Sequence, residues 1–395
     1  MRLRALLLLS VIASPAVAQD STVTLWTREV ITSSRLNEQR PIFVATPDGY
    51  RGGTSRHGVL VILDANDRPQ FNLAVAHVSF HASRGLIPSL IVVGIPNGNN
   101  RTRDMTPTAT GATAKRFPTA GGAGAFADFI VDELVPHIRS KYRTLPTIIL
   151  AGHSFGGLLA LEVVARKPGA FTGVIAMSPS LWWNDSTGIV SYSDAIAKAG
   201  KGQRLFVTSG GLEGYIDRPT KAFAQRLDSL KPAFTEFRYR HYADDSHGLT
   251  PAPSLVDGVR FVFEPIRVAK LPVAMLGADS DSAATMNAYI ESKRRYAIGA
   301  RSLGLDERFP ESETNRLGNQ VLQTGNPAFA VWLFRQNADL YPESANVYDS
   351  LGDGLLAMGN STAAAAQFRR AVDIATRTNH PVLEESSKKL RAIGR

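Results

Sequence analysis

Short apolar runs alternate with helically spaced ones along the first two thirds of the chain. Gly58-Val59-Leu60-Val61-Ile62-Leu63 and Leu90-Ile91-Val92-Val93-Gly94-Ile95 are unbroken, the pattern of strands buried on both faces. Thr147–Ala151, Thr172–Met177 and Arg204–Thr208 read as strands too, and Phe234–Tyr242 alternates as one. Thr22–Ile31 and Arg40–Ala45 read as strands near a sheet edge. Helical spacing predicts helices over Phe71–Arg84, Phe126–Tyr142, Leu158 to about Lys167, Ala222–Leu230 and Val256–Ile266. Pro96 to about Ala120 reads as a long polar loop. Strands alternating with helices imply an α/β fold with a mainly parallel sheet covered by helices. Ligands of such sheets bind beyond the C-terminal strand ends. Asp64-Ala65-Asn66, Ser154, Trp182-Trp183, Glu213 and His247 each follow a predicted strand, so all fall at that edge.

The pattern changes after residue 268. Met286–Leu305 has the spacing of one or two helices. Beyond it, Leu317-Gly318, Gly325-Asn326, Ala330 and Phe334 recur 34 residues later as Leu351-Gly352, Gly359-Asn360, Ala364 and Phe368. That period and residue set match a helix–turn–helix unit of the tetratricopeptide type. The expected organisation is a signal segment over 1–18, an α/β domain over 19–268, a helical linker over 269–310 and a small all-α repeat domain over 311–395. Two repeats expose apolar ends. The 286–305 helix, a last helix over Val382–Ile393 or the surface of the α/β domain is expected to cover them.

The chemistry centres on Gly152-His153-Ser154-Phe155-Gly156, between a predicted strand and a predicted helix. In that context a Gly-x-Ser-x-Gly turn holds its serine in a strained conformation with the hydroxyl exposed above the sheet. Ser154 is therefore the candidate nucleophile. A serine hydroxyl needs a base within hydrogen-bond reach. Enzymes with this turn run nucleophile, acid, base along the chain. His247 follows the last strand, beside Gly248, and is the candidate base; His241 lies inside a strand and His380 in the repeat region. Glu213 is the candidate acid, with Asp217 next and Asp244 or Asp245 after it. His153 reads as packing. The oxyanion donors are expected to be the Phe155 N–H and the N–H of Ala65 or an immediate neighbour. Trp182 and Trp183 read either as walls of an acyl or aromatic pocket or as core. Arg101, Arg103 and Asp104 are the candidate polar contacts of the 96–120 loop.

Composition narrows the setting. With 44% apolar and 20% charged residues the chain is of soluble globular type. The formal charge is +9, but Lys and Arg are dispersed, which argues against nucleic-acid binding. The absence of cysteine excludes disulfides, a thiol nucleophile and cysteine-ligated metal. No cofactor or metal is implied. Met1-Arg2-Leu3-Arg4, the apolar Ala5–Ala13 and Ala16-Val17-Ala18 form the pattern of a cleavable secretory signal. The expectation is a secreted, periplasmic protein with no membrane span.

Val61-Ile62-Leu63-Asp64, Val93-Gly94-Ile95-Pro96, Arg103-Asp104-Met105-Thr106-Pro107, Gly152–Gly157 and Ser178-Pro179-Ser180-Leu181-Trp182-Trp183 together resemble the putative-esterase family of α/β-hydrolases. That family includes esterase D-type enzymes, siderophore esterases, feruloyl esterases and mycolyltransferase-like proteins. The resemblance covers about residues 25–268 and implies serine-dependent cleavage of a small-molecule ester. Phe309–Asp353 resembles repeat segments appended to such hydrolases. An acyltransferase using the same machinery is the alternative. A binding scaffold that docks a protein partner or a second copy through the repeats is the alternative of another class.

Overall fold

The computed structural model describes residues 24–51, 55–199, 202–232, 235–268, 271–277, 282–378 and 380–394. The expected signal segment lies outside them, as do the first two residues of the first expected strand and Phe234. Eight strands form one sheet: β1 (Thr27–Ser33), β2 (Glu38–Ala45), β3 (His57–Leu63), β4 (Leu90–Ile95), β5 (Thr144–His153), β6 (Gly173–Met177), β7 (Gln203–Gly210) and β8 (Thr235–Tyr242). Their order is β1-β2-β4-β3-β5-β6-β7-β8. β1 and β2 form an antiparallel hairpin that joins β4 antiparallel, and every other pairing is parallel.

The unbroken apolar runs sit where both faces are covered. All seven residues of β3 and all six of β4 are buried. Val59, Val61, Leu150, Val174 and Val207 face one side, with Phe129, Leu158, Ile196 and Phe223 from four helical segments. Those segments are Phe129–Leu134, a π turn inside a longer helical run, then Phe155–Arg166, Gly188–Lys198 and Asp217–Leu230. Leu60, Ile62, Ile149, Ile175 and Phe206 face the other side, against Phe71, Val78, Leu255 and Val259. These come from helices Arg68–Ser83 and Pro251–Val262. The helix Gly188–Lys198 was not anticipated in the sequence.

The expected loop over 96–120 contains a 3-10 turn, Gly98–Asn100, and two short helices, Arg101–Met105 and Gly111–Arg116. Its polar residues misled because several are spent internally. Asp104 is 1% exposed. It pairs with Arg40 at 2.9 Å and Arg103 at 2.7 Å, while Arg103 also holds Glu38 at 2.8 Å. A buried carboxylate needs such partners, and they draw the segment down onto β2.

The C-terminal region is all helical: Ser282–Leu303, Glu311–Gln323, Pro327–Leu340, Ala345–Ala357, Ser361–Thr378 and Leu383–Ile393. The 34-residue recurrence has a steric cause. A Cβ on Gly318 would lie 2.4 Å from Phe334, and one on Gly352 would lie 2.5 Å from Phe368. Each glycine lets one helix of a pair rest on the phenylalanine of the next. Ala330 and Ala364 are fully buried in the same contacts. One end is covered by Ser282–Leu303, whose buried Tyr289 meets Phe309 and Trp332 at 5.6 Å each. At the other end Ser386 and Lys389 of the last helix bind Asp349, at 2.6 and 2.8 Å. The apolar cluster under β3, β5 and β6 continues without a break to Phe368. The Thr147 hydroxyl donates to the Leu303 carbonyl at 2.6 Å, so the helices anchor at the N-terminal end of β5. Among the described residues no helix is long and apolar enough to cross a membrane.

The Gly352→Ala change is expected to destabilise the chain by about 1–3 kcal/mol through overpacking. Adding Phe368→Leu, which shortens the opposing ring, should recover part of the loss. Urea unfolding of the three proteins checks this; a Gly352→Ala protein as stable as the parent contradicts the steric account.

Candidate active site

β5 ends at His153 and the next helix begins at Phe155, leaving one residue to turn the chain. That residue, Ser154, has φ 61° and ψ −115°. A non-glycine residue there is strained by roughly 1–3 kcal/mol. Three backbone bonds hold it. Its N–H donates to Met177 O at 2.9 Å, and its carbonyl accepts from Leu158 and Ser180 at 3.0 and 3.1 Å. Gly152 makes the turn sterically feasible, since a Cβ there would lie 2.3 Å from the Gly156 carbonyl oxygen. The Ser154 hydroxyl pairs with the Ser180 hydroxyl at 3.3 Å.

Glu213 follows β7 and His247 follows β8, so both arrive at the edge where Ser154 sits. His247 Nδ1 lies 3.3 Å from Glu213 Oε1. The same oxygen accepts from the Ser178 hydroxyl at 2.5 Å and the Thr250 hydroxyl at 2.8 Å. Burial of Glu213 opposes its charge, but hydrogen bonds from His247, Ser178, the Gly210 backbone and Thr250 hold its pKa below the ordinary value. His153, read as packing, packs against the His247 ring, 4.3 Å away centroid to centroid. Burial, with the nearby His247 and Arg101, lowers its pKa to about 3, so His153 is neutral at working pH. The runner-up acid, Asp217, belongs elsewhere, with Ser209 at 2.6 Å, Lys221 at 2.7 Å and His241 at 3.3 Å.

The Phe155 N–H opens a helix, where first-turn donors lack intrahelical partners. The expected Ala65 donor needs correction. Its N–H is already given to the carbonyl of Ile95, the last residue of β4, at 3.1 Å. Among the described residues no backbone acceptor takes the next amide, Asn66 N–H. The second candidate donor therefore moves to Asn66, the neighbour.

A family model described as "Putative esterase" matches residues 33–243. The chain belongs to this esterase family. It is 29% identical over 266 residues to the ferri-bacillibactin esterase BesA of Bacillus subtilis (strain 168), covering 60% of this chain and 90% of that protein. It is 31% identical over 183 residues to the siderophore triacetylfusarinine C esterase of Aspergillus fumigatus, covering 43% of this chain and 60% of that protein. The crystal structure of an IroE-like serine hydrolase from Shewanella oneidensis matches with TM-score 0.63 and 26% identity, over 80% of this chain and 98% of that one. The protein is a carboxylic-ester hydrolase.

The esterase's remaining candidates separate on burial. Trp183 is 3% exposed and is core. Trp182 is half-buried, within 6.0 Å of Phe155, 5.9 Å of Phe117 and 5.9 Å of the exposed Tyr215. Arg103 and Asp104 are paired in the ion cluster with Arg40 and Glu38, with Asp104 buried and Arg103 partly exposed. Arg101 instead binds Asp64 beside the serine turn, at 2.8 Å. Among the described residues, the one grouping whose donors could converge on a metal ion is His153, Glu213 and His247, within 4.8 Å of one another. Two of these already form the imidazole–carboxylate pair. Sequence reasoning missed Ser178, Ser180, Thr250, Phe117 and Tyr215. Lone hydroxyls in turns carry no periodic signal, and only the Ser-Pro-Ser run after β6 marked the place.

The folded-state pKa of Glu213 lies below its ordinary 4.5. The stability it contributes is therefore fully present above the unfolded pKa and is lost as pH falls through the folded one. Glu213→Gln removes that titration. The stability gap between the parent and this variant should be widest near about pH 7 and shrink toward about pH 3.5. Urea midpoints across that range check it; a gap that is constant, or grows in acid, contradicts an ionised Glu213.

Proposed function

We propose that the enzyme cleaves esters through an acyl-enzyme on Ser154. His247 Nδ1–H is directed at Glu213, which leaves Nε2 as the lone pair that receives the serine proton. Ser154 Oγ attacks the ester carbonyl and the proton passes to His247. Glu213 holds the ring in that tautomer and stabilises its charged form. The developing oxyanion is received by the Phe155 and Asn66 N–H groups. His247 then returns the proton to the leaving alcohol, and water repeats the sequence to release the acid. The observation that carries this reading is the buried Glu213 holding His247 Nδ1 at the same sheet edge as the strained Ser154. Before substrate binds, a nucleophile–base bond is often unformed, which is consistent with Ser154 pairing with Ser180.

The substrate proposed is a siderophore-type ester. Support comes from the similarity to two siderophore esterases, BesA and the triacetylfusarinine C esterase, and from the aromatic surface of Trp182, Phe117 and Tyr215. The Arg116 guanidinium lies 6.0 Å from the Trp182 ring. Secretion through the 1–18 segment belongs to this reading. So does a docked tetratricopeptide-like module that shapes stability rather than chemistry. The helices anchor at Thr147, seven residues along β5 from Ser154, which is ~23 Å at strand rise.

Ser154→Ala is expected to lower kcat/KM on an activated ester by about 10³-fold or more. His247→Ala should match it within about tenfold, because members of one unit are not additive. Glu213→Gln should cost less. Steady-state kinetics with circular dichroism as a folding control checks all three. Activity retained in Ser154→Ala defeats the mechanism, and Asp217→Asn costing more than Glu213→Gln defeats the acid assignment. Chromatography of products from a siderophore trilactone tests the substrate class; turnover no faster than that of a simple alkyl ester removes it.

A further inference from the structure

A single guanidinium joins the two halves of the site. Arg101 opens the short helix Arg101–Met105. Its Nε donates to Asp64 Oδ1 at 2.8 Å and its Nη2 to Asp64 Oδ2 at 2.9 Å. Nη2 also reaches the His153 carbonyl at 3.3 Å. The guanidinium carbon lies 5.1 Å from the centre of the Phe155 ring.

Position makes these contacts matter. Asp64 is the last residue before Ala65-Asn66, and it takes the left-handed region with φ 58°. His153 is the last residue before Ser154. One side chain therefore grips the loop that presents the Asn66 N–H and the strand end that presents Ser154 and the Phe155 N–H. The Asp64 carboxylate is wedged at the turn: a Cβ on Gly156 would stand 3.4 Å from its Oδ2. A second tie runs from the same segment as Arg101, since the Asn97 N–H donates to Asn66 Oδ1 at 3.1 Å.

We propose that Arg101 is a positioning residue that sets the spacing of the two oxyanion donors by clamping Asp64 to the His153 carbonyl. The inference rests on the reading of Ser154 as nucleophile. An oxyanion hole must fit the tetrahedral oxygen rather than the ground-state carbonyl. A loosened clamp therefore raises the barrier while leaving substrate affinity alone. A guanidinium whose fork is filled by Asp64 differs in kind from an arginine that binds an anionic substrate, which would govern KM and its salt dependence. Lysine does not replace it, because a point charge cannot serve a bidentate carboxylate and a carbonyl in fixed geometry.

The test uses the full chain with Arg101→Gln, Arg101→Lys, Asp64→Asn and the double variant Asp64→Asn/Arg101→Gln. The substrate is p-nitrophenyl butyrate. The inhibitor is an alkyl trifluoromethyl ketone, which forms a tetrahedral adduct on the nucleophilic serine, and butyrate serves as a ground-state ligand. Each single variant should lose about 10- to 100-fold in kcat, the scale of a small misplacement of catalytic groups. KM and butyrate affinity should stay within about twofold, and ketone affinity should fall in parallel with kcat. Arg101→Lys should resemble Arg101→Gln, and the double variant should be no worse than the poorer single one. Removing Arg101 alone strands a buried carboxylate; the double variant removes that charge, so the kinetic comparison stands even where the single variant folds poorly. A rise in KM with kcat and ketone affinity unchanged overturns the inference in favour of a substrate contact. A loss of active-site titre and melting temperature with full kcat per active site overturns it in favour of a purely structural tie. Ser154→Ala is run alongside: activity there sinks the nucleophile reading, whereas an inactive Ser154→Ala with a KM-only effect at Arg101 sinks this inference alone.

Discussion

The strained turn at Ser154 is the constraint on which the rest of the site depends. An L-residue at φ 61° is held there only because the surroundings over-determine it. Gly152 passes so close to the Gly156 carbonyl that the strand could not carry a side chain at the contact. The backbone of Ser154 is tied to Met177 at the end of β6 and to Ser180 beyond it. Because β6 is the parallel neighbour of β5, the parallel sheet itself braces the turn. The same register carries the ends of β7 and β8 to this edge and delivers Glu213 and His247 without any dedicated scaffold.

Glu213 shows how the fold keeps a carboxylate charged out of water. Its side chain is fully buried, and an unpartnered carboxylate in that setting would protonate instead. Hydroxyls from Ser178 and Thr250 converge with His247 on a single oxygen. Ser178 is itself at φ 44°, so the cage begins where the chain leaves β6. Two of the three groups that fix the carboxylate are hydroxyls, which stay uncharged when the imidazole gains a proton. That suits a partner that must orient a base and then stabilise its charge.

Much of this was legible in the residues. β3 and β4 were visible as unbroken apolar runs because both faces are covered. Ser154, Glu213 and His247 were visible because each punctuates a strand and all ends of a parallel sheet meet. What escaped depended on contacts distant in sequence. Arg103 and Asp104 read as candidate polar contacts of a loop because Glu38 and Arg40, which neutralise them, lie on β2 more than sixty residues earlier. Ala65 was a reasonable donor, but its N–H is taken by the Ile95 carbonyl across the sheet. Trp182 and Trp183 are adjacent, yet one is half-buried beside Phe155 and Tyr215 and the other is core, a difference no pattern of composition carries. The helical extension was visible through Gly318 and Gly352. Its docking was not, since the Thr147–Leu303 contact leaves no local trace.

The central claim is that ester cleavage passes through a covalent intermediate on Ser154. The most direct measurement is rapid-quench mass spectrometry of the full chain with an activated ester whose acyl group leaves slowly. The account predicts a burst of released alcohol approaching one per active site, an intact mass raised by one acyl group, and that group located at Ser154 in the digested peptide. Steady turnover with no burst and no adduct, or an adduct on a different residue, would contradict it.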